Sequence, residues 1–342
     1  MIASSKPVVL LSHQMLSPMQ QALEAQGYEV ARRWELTPQQ AAEVRVIIQA
    51  GEIPLPAAFL EGLPKLGLIA CVSVGYDGVD VPWCRARGVE VTHAHGLNAE
   101  DVADHAIGLM IAGWRNIVVG DAAVRGGSWA EGERMGARPG LRGRKLGVMG
   151  LGSIGEAVAV RGEAFGMEIA WWGPREKAGA RWPRTETLLK LATDSDVLVV
   201  ACRADETNRK MVDQAVIEAV GPRGMIVNVA RGSIIDEDAL IAALKDGRLG
   251  RAGLDVFETE PTPAARWKDV PGAVLTPHSA GATSDSVVRM IGQALENVRL
   301  FLAGEPVMSP VSVYPSGCFL GGRWSSTSPM TAAARARRAS AQ

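Results

Sequence analysis

The stretch that decides the fold is KLGVMGLGSIGEAVAVRGEAFG, Lys145 to Gly166, in which an apolar run, a glycine-rich turn and an amphipathic segment follow one another. A GxGxxG pattern alone is weak, because glycines recur in loops by chance. Here the glycines stand directly between a predicted strand and a predicted helix, the context that the pattern needs. Gly150 permits a tight turn, Gly152 lets amides approach a pyrophosphate, and Gly155 lets the helix pack closely on the sheet. The helix start adds free amides and a positive dipole end for phosphates, at Ser153 and Ile154.

Short apolar runs alternate with helix-like segments on both sides of this stretch. The runs are PVVLLS, VRVIIQAG, LIACVSVG and VEVTHAHG before it, and KLGVMG, MEIAWW, SDVLVVA, GMIVNVA, RAGLDVF and GAVLTP from it onwards. QQALEAQGYEV, between the first two runs, is interpreted as helical. The alternation predicts an α/β fold with two doubly wound parallel sheets.

Two long helical segments bracket the second series of strands, and they predict the domain organisation. The first is AHGLNAEDVADHAIGLMIAGWRN, with Asn98 as the expected N-cap, and the second is SDSVVRMIGQALENVRLFLAGEP. The chain is therefore expected to leave a first domain, build a second and return. We predict a substrate domain of residues 1–98 plus 283–315 and an inserted dinucleotide-binding domain of 99–282. Residues 316–342 are rich in Ser, Ala, Gly and Arg and predict a disordered tail.

Composition limits the classes of function. The 342 residues are 47% hydrophobic with a net charge of −1, and the basic residues are spread along the chain, which argues against a nucleic-acid partner. No apolar run reaches membrane-spanning length and no secretion signal is recognised, so no membrane partner and a cytoplasmic location are expected. The four cysteines lack metal-ligand spacing, and we expect reduced, mostly buried thiols and no metal site.

The segment IAWWGPREK ends where dinucleotide-binding folds usually place an acid for the adenosine ribose. Gly173, Pro174 and Arg175 stand there instead. Glycine removes bulk and the arginine fork suits a phosphate, so the segment predicts NADP(H), with NAD(H) as the second option. The alternatives are a merely solvated basic loop, or Glu176 turning inward to the ribose.

Three later motifs follow successive predicted strands, at the sheet edge where doubly wound folds bind ligands. NVARGSIIDEDAL contains Arg231, GLDVFETEP contains Asp255 and Glu260, and LTPHSAGAT contains His278. Each is weak alone, because Arg231 could cap a helix, Glu260 could be an ordinary loop acid, and a lone histidine is more often structural.

In these motifs the chain resembles the D-isomer-specific 2-hydroxyacid dehydrogenase family, over roughly 72–310. The resemblance rests on SVGYDGVD, NAEDVADHAIGLM, LRGRKLGVMGLGSIG, NVARGSIIDEDALIAALKDGRLGRAGLDVFETEP and LTPHSAG. It implies a flavodoxin-like substrate domain, a Rossmann cofactor domain and a homodimer. It also implies that Arg231, Glu260 and His278 are catalytic. Val74 and Gly75 would hold the substrate carboxylate together with Arg231, and Asp255 would lie near the nicotinamide end of the cofactor.

These implied roles suit the reduction of a 2-keto acid, which needs a hydride at the carbonyl carbon and a proton at its oxygen. The ordinary titration range of His278 suits a proton donor. A hydrogen bond to Glu260 would fix its tautomer and raise its pKa. Arg231 can bind the carboxylate and polarise the carbonyl group.

Two departures from the family pattern refine the prediction. The substrate loop begins with Ser73 where many members have glycine, and the ribose position lacks its acid. Both resemble the NADPH-preferring glyoxylate and hydroxypyruvate reductase branch, so we predict reduction of a small 2-keto acid to the D-2-hydroxy acid. The alternatives are an NAD-dependent enzyme working oxidatively and a dinucleotide-sensing, corepressor-like binding protein. No motif identifies the substrate side chain, whose pocket we expect from loops near Met15 and residues 50–55 and from the partner subunit.

Overall fold

The amino-terminal sheet has five parallel strands. A computed structural model of the protein describes residues 6–129 and 137–311, and the tail predicted for 316–342 lies outside them. The strands are β1 Val8–Leu11, β2 Glu29–Arg32, β3 Val44–Gln49, β4 Leu68–Cys71 and β5 Glu90–Thr92. Their spatial order, β2-β1-β3-β4-β5, is that of flavodoxin-like folds. The central strands are almost wholly buried, as expected for a parallel sheet covered on both faces.

A second sheet of six parallel strands follows. Its strands are β6 Lys145–Met149, β7 Glu168–Trp172, β8 Val197–Val200, β9 Met225–Asn228, β10 Arg251–Leu254 and β11 Ala273–Leu275. The order is β11-β10-β9-β8-β6-β7. Beyond β7, Arg184 forms an isolated parallel bridge with Trp171. With this bridge counted as an edge strand, the order is that of a Rossmann sheet extended by one strand.

Helices cover both sheets. They are α1 Gln20–Ala25, α2 Pro38–Ala41, α3 Ala57–Glu61, α4 Val81–Ala86, α5 Ala99–Trp114, α6 Ile117–Arg125, α7 Ser153–Ala164, α8 Leu188–Asp194, α9 Gln214–Val220, α10 Glu237–Lys245, α11 Ala264–Trp267 and α12 Ser284–Ala303. Short 3-10 turns cover Gln14–Met19, Arg33–Glu35, Glu206–Asn208 and Gly232–Ile234. Helices α5 and α7 share a core with the second sheet, whereas Ala294 and Val298 of α12 pack into the core of the first.

The predicted fold class is confirmed, since both sheets are parallel and interleaved with helices. Helix α5 begins at Ala99 with Asn98 as its N-cap residue, although the Asn98 side chain makes no capping hydrogen bond. The interpretation of QQALEAQGYEV as a helix-like segment is right only for its first part, because α1 ends at Ala25 and β2 begins at Glu29. The strand was missed because it lies at the sheet edge, where only Ala31 is buried and the apolar signal is weak. The domain boundaries themselves stay predictions.

The chain crosses between the two sheets twice, before α5 and before α12, and the two crossings are tied together. Asp101 accepts hydrogen bonds from Thr283 Oγ1 at 2.7 Å and from Arg289 Nη2 at 2.5 Å. Arg289 Nε also donates to the carbonyl of Leu97 at 3.0 Å. The start of α5 and the start of α12 are thereby held side by side.

The cysteines within the described residues are free thiols, as expected. Cys71 and Cys84 are buried, and burial raises the pKa of these thiols to about 12 and about 11. Cys202 is partly buried, and its pKa is raised to about 12 by the same cause. Cys318 lies outside the described residues.

Within the described part of the chain no single helix could cross a membrane, and only α5 and α6 taken together, bent by 62°, have the length and composition.

Candidate active site

The glycine-rich turn between β6 and α7 has the shape of a phosphate cradle. Gly150 has a φ of +94°, and a Cβ there would lie 2.5 Å from Cα of Cys202. A Cβ at Gly155 would lie 1.9 Å from the carbonyl oxygen of Gly150, so only glycine allows this approach of helix and turn. Among the described residues, a Cβ at Gly152 would meet nothing within 4 Å and no side chain caps the helix. The free amides of the first turn, from Ser153, therefore face open space and fit a dinucleotide pyrophosphate.

The loop after β7 carries four cations, of which three are engaged within the protein. Lys177 and Arg181 form ion pairs with glutamates of α7 at 2.9 and 2.8 Å. Arg184 donates to the carbonyl of Gly173 at 2.8 Å. Arg175 is exposed and has no hydrogen-bond or ion-pair partner among the described residues. Its guanidinium remains available to a ligand phosphate.

His278 and Glu260 form a close hydrogen-bonded pair. Nδ1 of His278 lies 2.6 Å from Oε2 of Glu260, whose other oxygen accepts from the Phe257 amide at 2.9 Å. The bond to Glu260 raises the pKa of His278, burial opposes the rise, and the nearby Glu52 carboxylate adds to it. Burial would raise the pKa of Glu260, but the hydrogen bonds from His278 and Phe257 outweigh it and hold this pKa below its ordinary value. The pair thus favours a protonated histidine beside an ionised glutamate.

Asp255 fixes the loop that carries His278. This buried carboxylate accepts from Thr276 Oγ1 at 2.6 Å and from the amides of Ser279 and Ala280, each at 2.9 Å. The Asp255 carbonyl also accepts from the amide of His278, which has a left-handed φ of +51°. Both carboxylate oxygens are thereby occupied by the protein. Its predicted contact with a cofactor stays a prediction, and its role as an anchor was missed.

His105 of α5 supports the same loop and was not singled out from the sequence. Its Nε2 lies 2.9 Å from Thr276 Oγ1 and 3.5 Å from Asp255. The only available signal was its place inside the NAEDVADHAIGLM motif. A histidine on a helix is uninformative until the fold brings Thr276 to it.

Arg231 is positioned by the end of β9. Asn228, the last residue of β9, accepts from the Ala230 amide at 3.0 Å and donates to the Arg231 carbonyl at 2.9 Å. A Cβ at Gly232 would lie 1.8 Å from the carbonyl carbon of Phe257, so the Arg231 turn packs directly on the segment leading to Glu260. The backbone thereby ties the guanidinium to the acid–histidine pair.

The substrate loop of the first sheet meets this guanidinium across the cleft. A Cβ at Gly75 would lie only 2.0 Å from Nη2 of Arg231. Among the described residues, the amides of Val74 and Gly75 have no hydrogen-bond acceptor. Two free amides beside a guanidinium make a site for a carboxylate. The sequence-predicted contributors therefore do come together.

These groups line one cavity of about 650 Å³. The predicted residues that line it are Ile154, Val74, Gly75, Arg231, Asp255 and His278. Met15 and Ala50 to Ile53 also line it, as predicted for the pocket wall. Glu260 instead lines an adjoining cavity of about 370 Å³ that shares Arg231 and His278. Of the remaining predicted residues, Gly150, Gly152, Ser153, Gly155, Gly173 and Arg175 line neither cavity.

Known proteins are similar to this chain over most of its length. The family model described as "D-isomer specific 2-hydroxyacid dehydrogenase, NAD binding domain" matches residues 107–280. A glyoxylate/hydroxypyruvate reductase of Arabidopsis thaliana is 37% identical over 278 residues, which are 81% of this chain and 85% of that protein.

Solved structures extend the similarity to the three-dimensional fold. A 2-hydroxyacid dehydrogenase from Ketogulonicigenium vulgare Y25 superposes with a TM-score of 0.84 at 38% identity, over 90% of this chain and 99% of that one. An NADPH-dependent glyoxylate/hydroxypyruvate reductase from Sinorhizobium meliloti, solved with NADP and malonate, superposes with a TM-score of 0.83 at 33% identity. The match covers 90% of this chain and 97% of that one.

Proposed function

Because the chain belongs to the D-isomer-specific 2-hydroxyacid dehydrogenase family, we propose that it reduces a small 2-keto acid, of the glyoxylate or hydroxypyruvate type, to the D-2-hydroxy acid. The observation that carries the proposal is the single cavity lined by Arg231, His278 and the free amides of Val74 and Gly75. The relatives described as glyoxylate/hydroxypyruvate reductases support the choice of substrate class.

The substrate is held by its carboxylate. The amides of Val74 and Gly75 bind it from the first sheet, and Arg231 binds it from the second. The same guanidinium lies beside the substrate carbonyl, where it polarises the C=O bond. Contacts from both sides of the cleft orient the carbonyl carbon and exclude water.

His278 supplies the proton. Its pKa is raised by Glu260, which favours the protonated ring, and its Nε2–H faces the cleft. As the carbonyl oxygen gains negative charge, this proton passes from Nε2 to the oxygen. Glu260 stays ionised and holds Nδ1–H, which keeps the ring oriented throughout.

We propose NADPH as the preferred cofactor, with NADH as the second option. When bound, the nicotinamide supplies the hydride. The turn at Gly150, Gly152 and Gly155 would hold the pyrophosphate, and Arg175, next to Gly173, would bind the 2′-phosphate. The absence of an acid from this position and the availability of Arg175 support the preference.

Free, buried thiols suit a reducing compartment, and the proposed location is therefore the cytoplasm.

A homodimer is the proposed assembly. Helix α6, Ile117–Arg125, has no buried residue, and Ile117, Val118, Val119 and Val124 are each more than half exposed. Trp129, just beyond the helix, is 62% exposed. An exposed apolar group of this kind marks an interaction surface. Sedimentation of the wild type and of Val119→Glu tests it, since a monomeric wild type would contradict the proposal.

Initial rates of nicotinamide oxidation test the function. Glyoxylate and hydroxypyruvate are each offered with NADPH and with NADH at equal concentrations. Turnover with a clear NADPH preference is expected. Turnover with an NADH preference would contradict only the cofactor assignment, whereas binding of dinucleotide without turnover of either acid would contradict the reductase itself and favour a binding protein.

A further inference from the structure

The carboxylate of Glu52 lies between the group proposed to bind the substrate and the group proposed to protonate it. Its Oε1 is 2.8 Å from Nη2 of Arg231 and 3.6 Å from Nε2 of His278. Glu52 lines both cavities of the cleft. It comes from the loop after β3, 179 positions away from Arg231 in the chain, and no sequence motif marks it.

The loop carrying Glu52 is fastened to the substrate loop. The Ser73 hydroxyl accepts from the amide of Gly51 at 2.9 Å and donates to the carbonyl of Gly75 at 2.7 Å. A Cβ at Gly51 would lie 2.0 Å from that carbonyl oxygen, so the two backbones are in direct contact. Ser73, one of the departures from the family pattern, therefore keeps Glu52 within reach of the substrate site.

Charge decides what Glu52 does there. Arg231 already faces two carboxylates, Glu52 at 2.8 Å and Asp77 at 3.0 Å. Glu52 lines the larger cavity whereas Asp77 lines only the adjoining one, so a 2-keto acid in the larger cavity takes the place of Glu52 on the guanidinium. Since its loop is fastened, the displaced Glu52 side chain remains in the cavity beside the rest of the substrate.

We propose that Glu52 is a specificity-determining residue that selects 2-keto acids whose side chain is neutral or bears a hydroxyl group and rejects those with a second carboxylate. The proposal rests on the proposed function and names the substrate class within it. A hydroxyl group beside the keto carbon donates a hydrogen bond to the Glu52 carboxylate. A second carboxylate meets like charge at short range, and such repulsion is an effective means of discrimination.

Three acids that differ in one group provide the test. Pyruvate carries a methyl group beside the keto carbon, hydroxypyruvate adds a hydroxyl to it, and oxaloacetate adds a carboxylate. kcat/KM is measured for each with the wild type and with Glu52→Gln, which removes the charge but keeps the shape. Glu61→Gln, an exposed carboxylate of α3 that pairs with Arg87, is the matched control.

In Glu52→Gln the ratio of kcat/KM for oxaloacetate to that for pyruvate should rise about tenfold, the effect of removing one nearby like charge in a partly hydrated site. The ratio for hydroxypyruvate to pyruvate should fall about threefold, because an uncharged amide is the weaker acceptor. Glu61→Gln should leave both ratios as in the wild type. A ratio within one preparation does not depend on the active fraction, so partial misfolding cannot mimic either change.

Glu52→Ser is measured alongside as a second neutral variant, and it must shift the oxaloacetate ratio in the same direction. An oxaloacetate ratio unchanged in both variants overturns the role of Glu52 while leaving the reductase intact. Loss of turnover with all three acids in both variants, with unchanged thermal unfolding, overturns a selective role as well. Failure of the wild type to reduce glyoxylate as well as these three acids overturns the proposed function itself.

Discussion

Replacing Glu260 by glutamine tests how the protein keeps His278 protonated. Glu260 Oε2 lies 2.6 Å from His278 Nδ1, and this bond is the largest cause of the raised pKa of His278. The other oxygen accepts from the Phe257 amide at 2.9 Å, a bond that a glutamine oxygen can keep. The substitution therefore removes the charge and retains the shape of the side chain.

The expected size follows from the geometry of the pair. A hydrogen bond to a charged partner is worth about 1.5–3 kcal/mol. The side chains of His278 and Glu260 are 29% and 35% exposed. Solvent therefore screens the interaction, so we expect a loss near the lower end of this range and a lower pKa of His278.

The sign follows from the proposed role of His278 as proton donor. Reduction requires the protonated ring, so the rate is high below the pKa and falls as pH rises through it. A lower pKa in Glu260→Gln moves this fall to lower pH and spares the rate on the acid side.

The assay is kcat/KM for hydroxypyruvate across the pH range at saturating NADPH. Glu258→Gln is the control, because that neighbouring carboxylate pairs with Arg209 at 3.2 Å and does not touch His278. If wild type and Glu260→Gln give the same pH profile, or if the rate of the variant falls at a higher pH, Glu260 does not raise the pKa of His278.

Three further substitutions probe other parts of the site. His278→Gln should lower kcat by about 10²- to 10⁴-fold while NADPH binding, followed by fluorescence titration, stays as in the wild type; near-normal turnover removes His278 from the mechanism. Arg175→Ala should raise KM for NADPH roughly tenfold and leave KM for NADH little changed. Arg181→Ala is the control, because the Arg181 guanidinium pairs with a glutamate of α7. Equal effects on both cofactors would contradict 2′-phosphate recognition. Gly232→Ala would place a Cβ 1.8 Å from the carbonyl carbon of Phe257. Urea unfolding should therefore show a free energy of unfolding lower by about 1–3 kcal/mol, together with a reduced kcat. Full stability of the variant would show that the turn can relax.

The sequence predicted the second sheet well because its signals are local. The turn at Gly150 lies between two elements that are its immediate neighbours, and Arg231 and His278 each follow the end of an apolar run. Parallel topology then brings those ends to one edge without any further information. The edge strands were less predictable: β2 buries one residue, and Arg184 contributes a single bridge.

The supporting contacts of the site could not be predicted, because they join distant parts of the chain. His105 and Thr276 are 171 positions apart, and Glu52 and Arg231 are 179 apart. Neither contact has a spacing that a motif could encode. The anchoring of Asp255 was missed for a related reason: its partners are mostly backbone amides, which every sequence provides.

The packing of α12 on the first sheet has a consequence for biosynthesis. The strands of the first sheet emerge from the ribosome early, but Ala294 and Val298, which complete their core, emerge after the whole second sheet. The part of the protein made first should therefore be the last to become protease-resistant. Nascent chains arrested after β11 and after α12 would show this order, and resistance of the first sheet at the earlier point would disprove it.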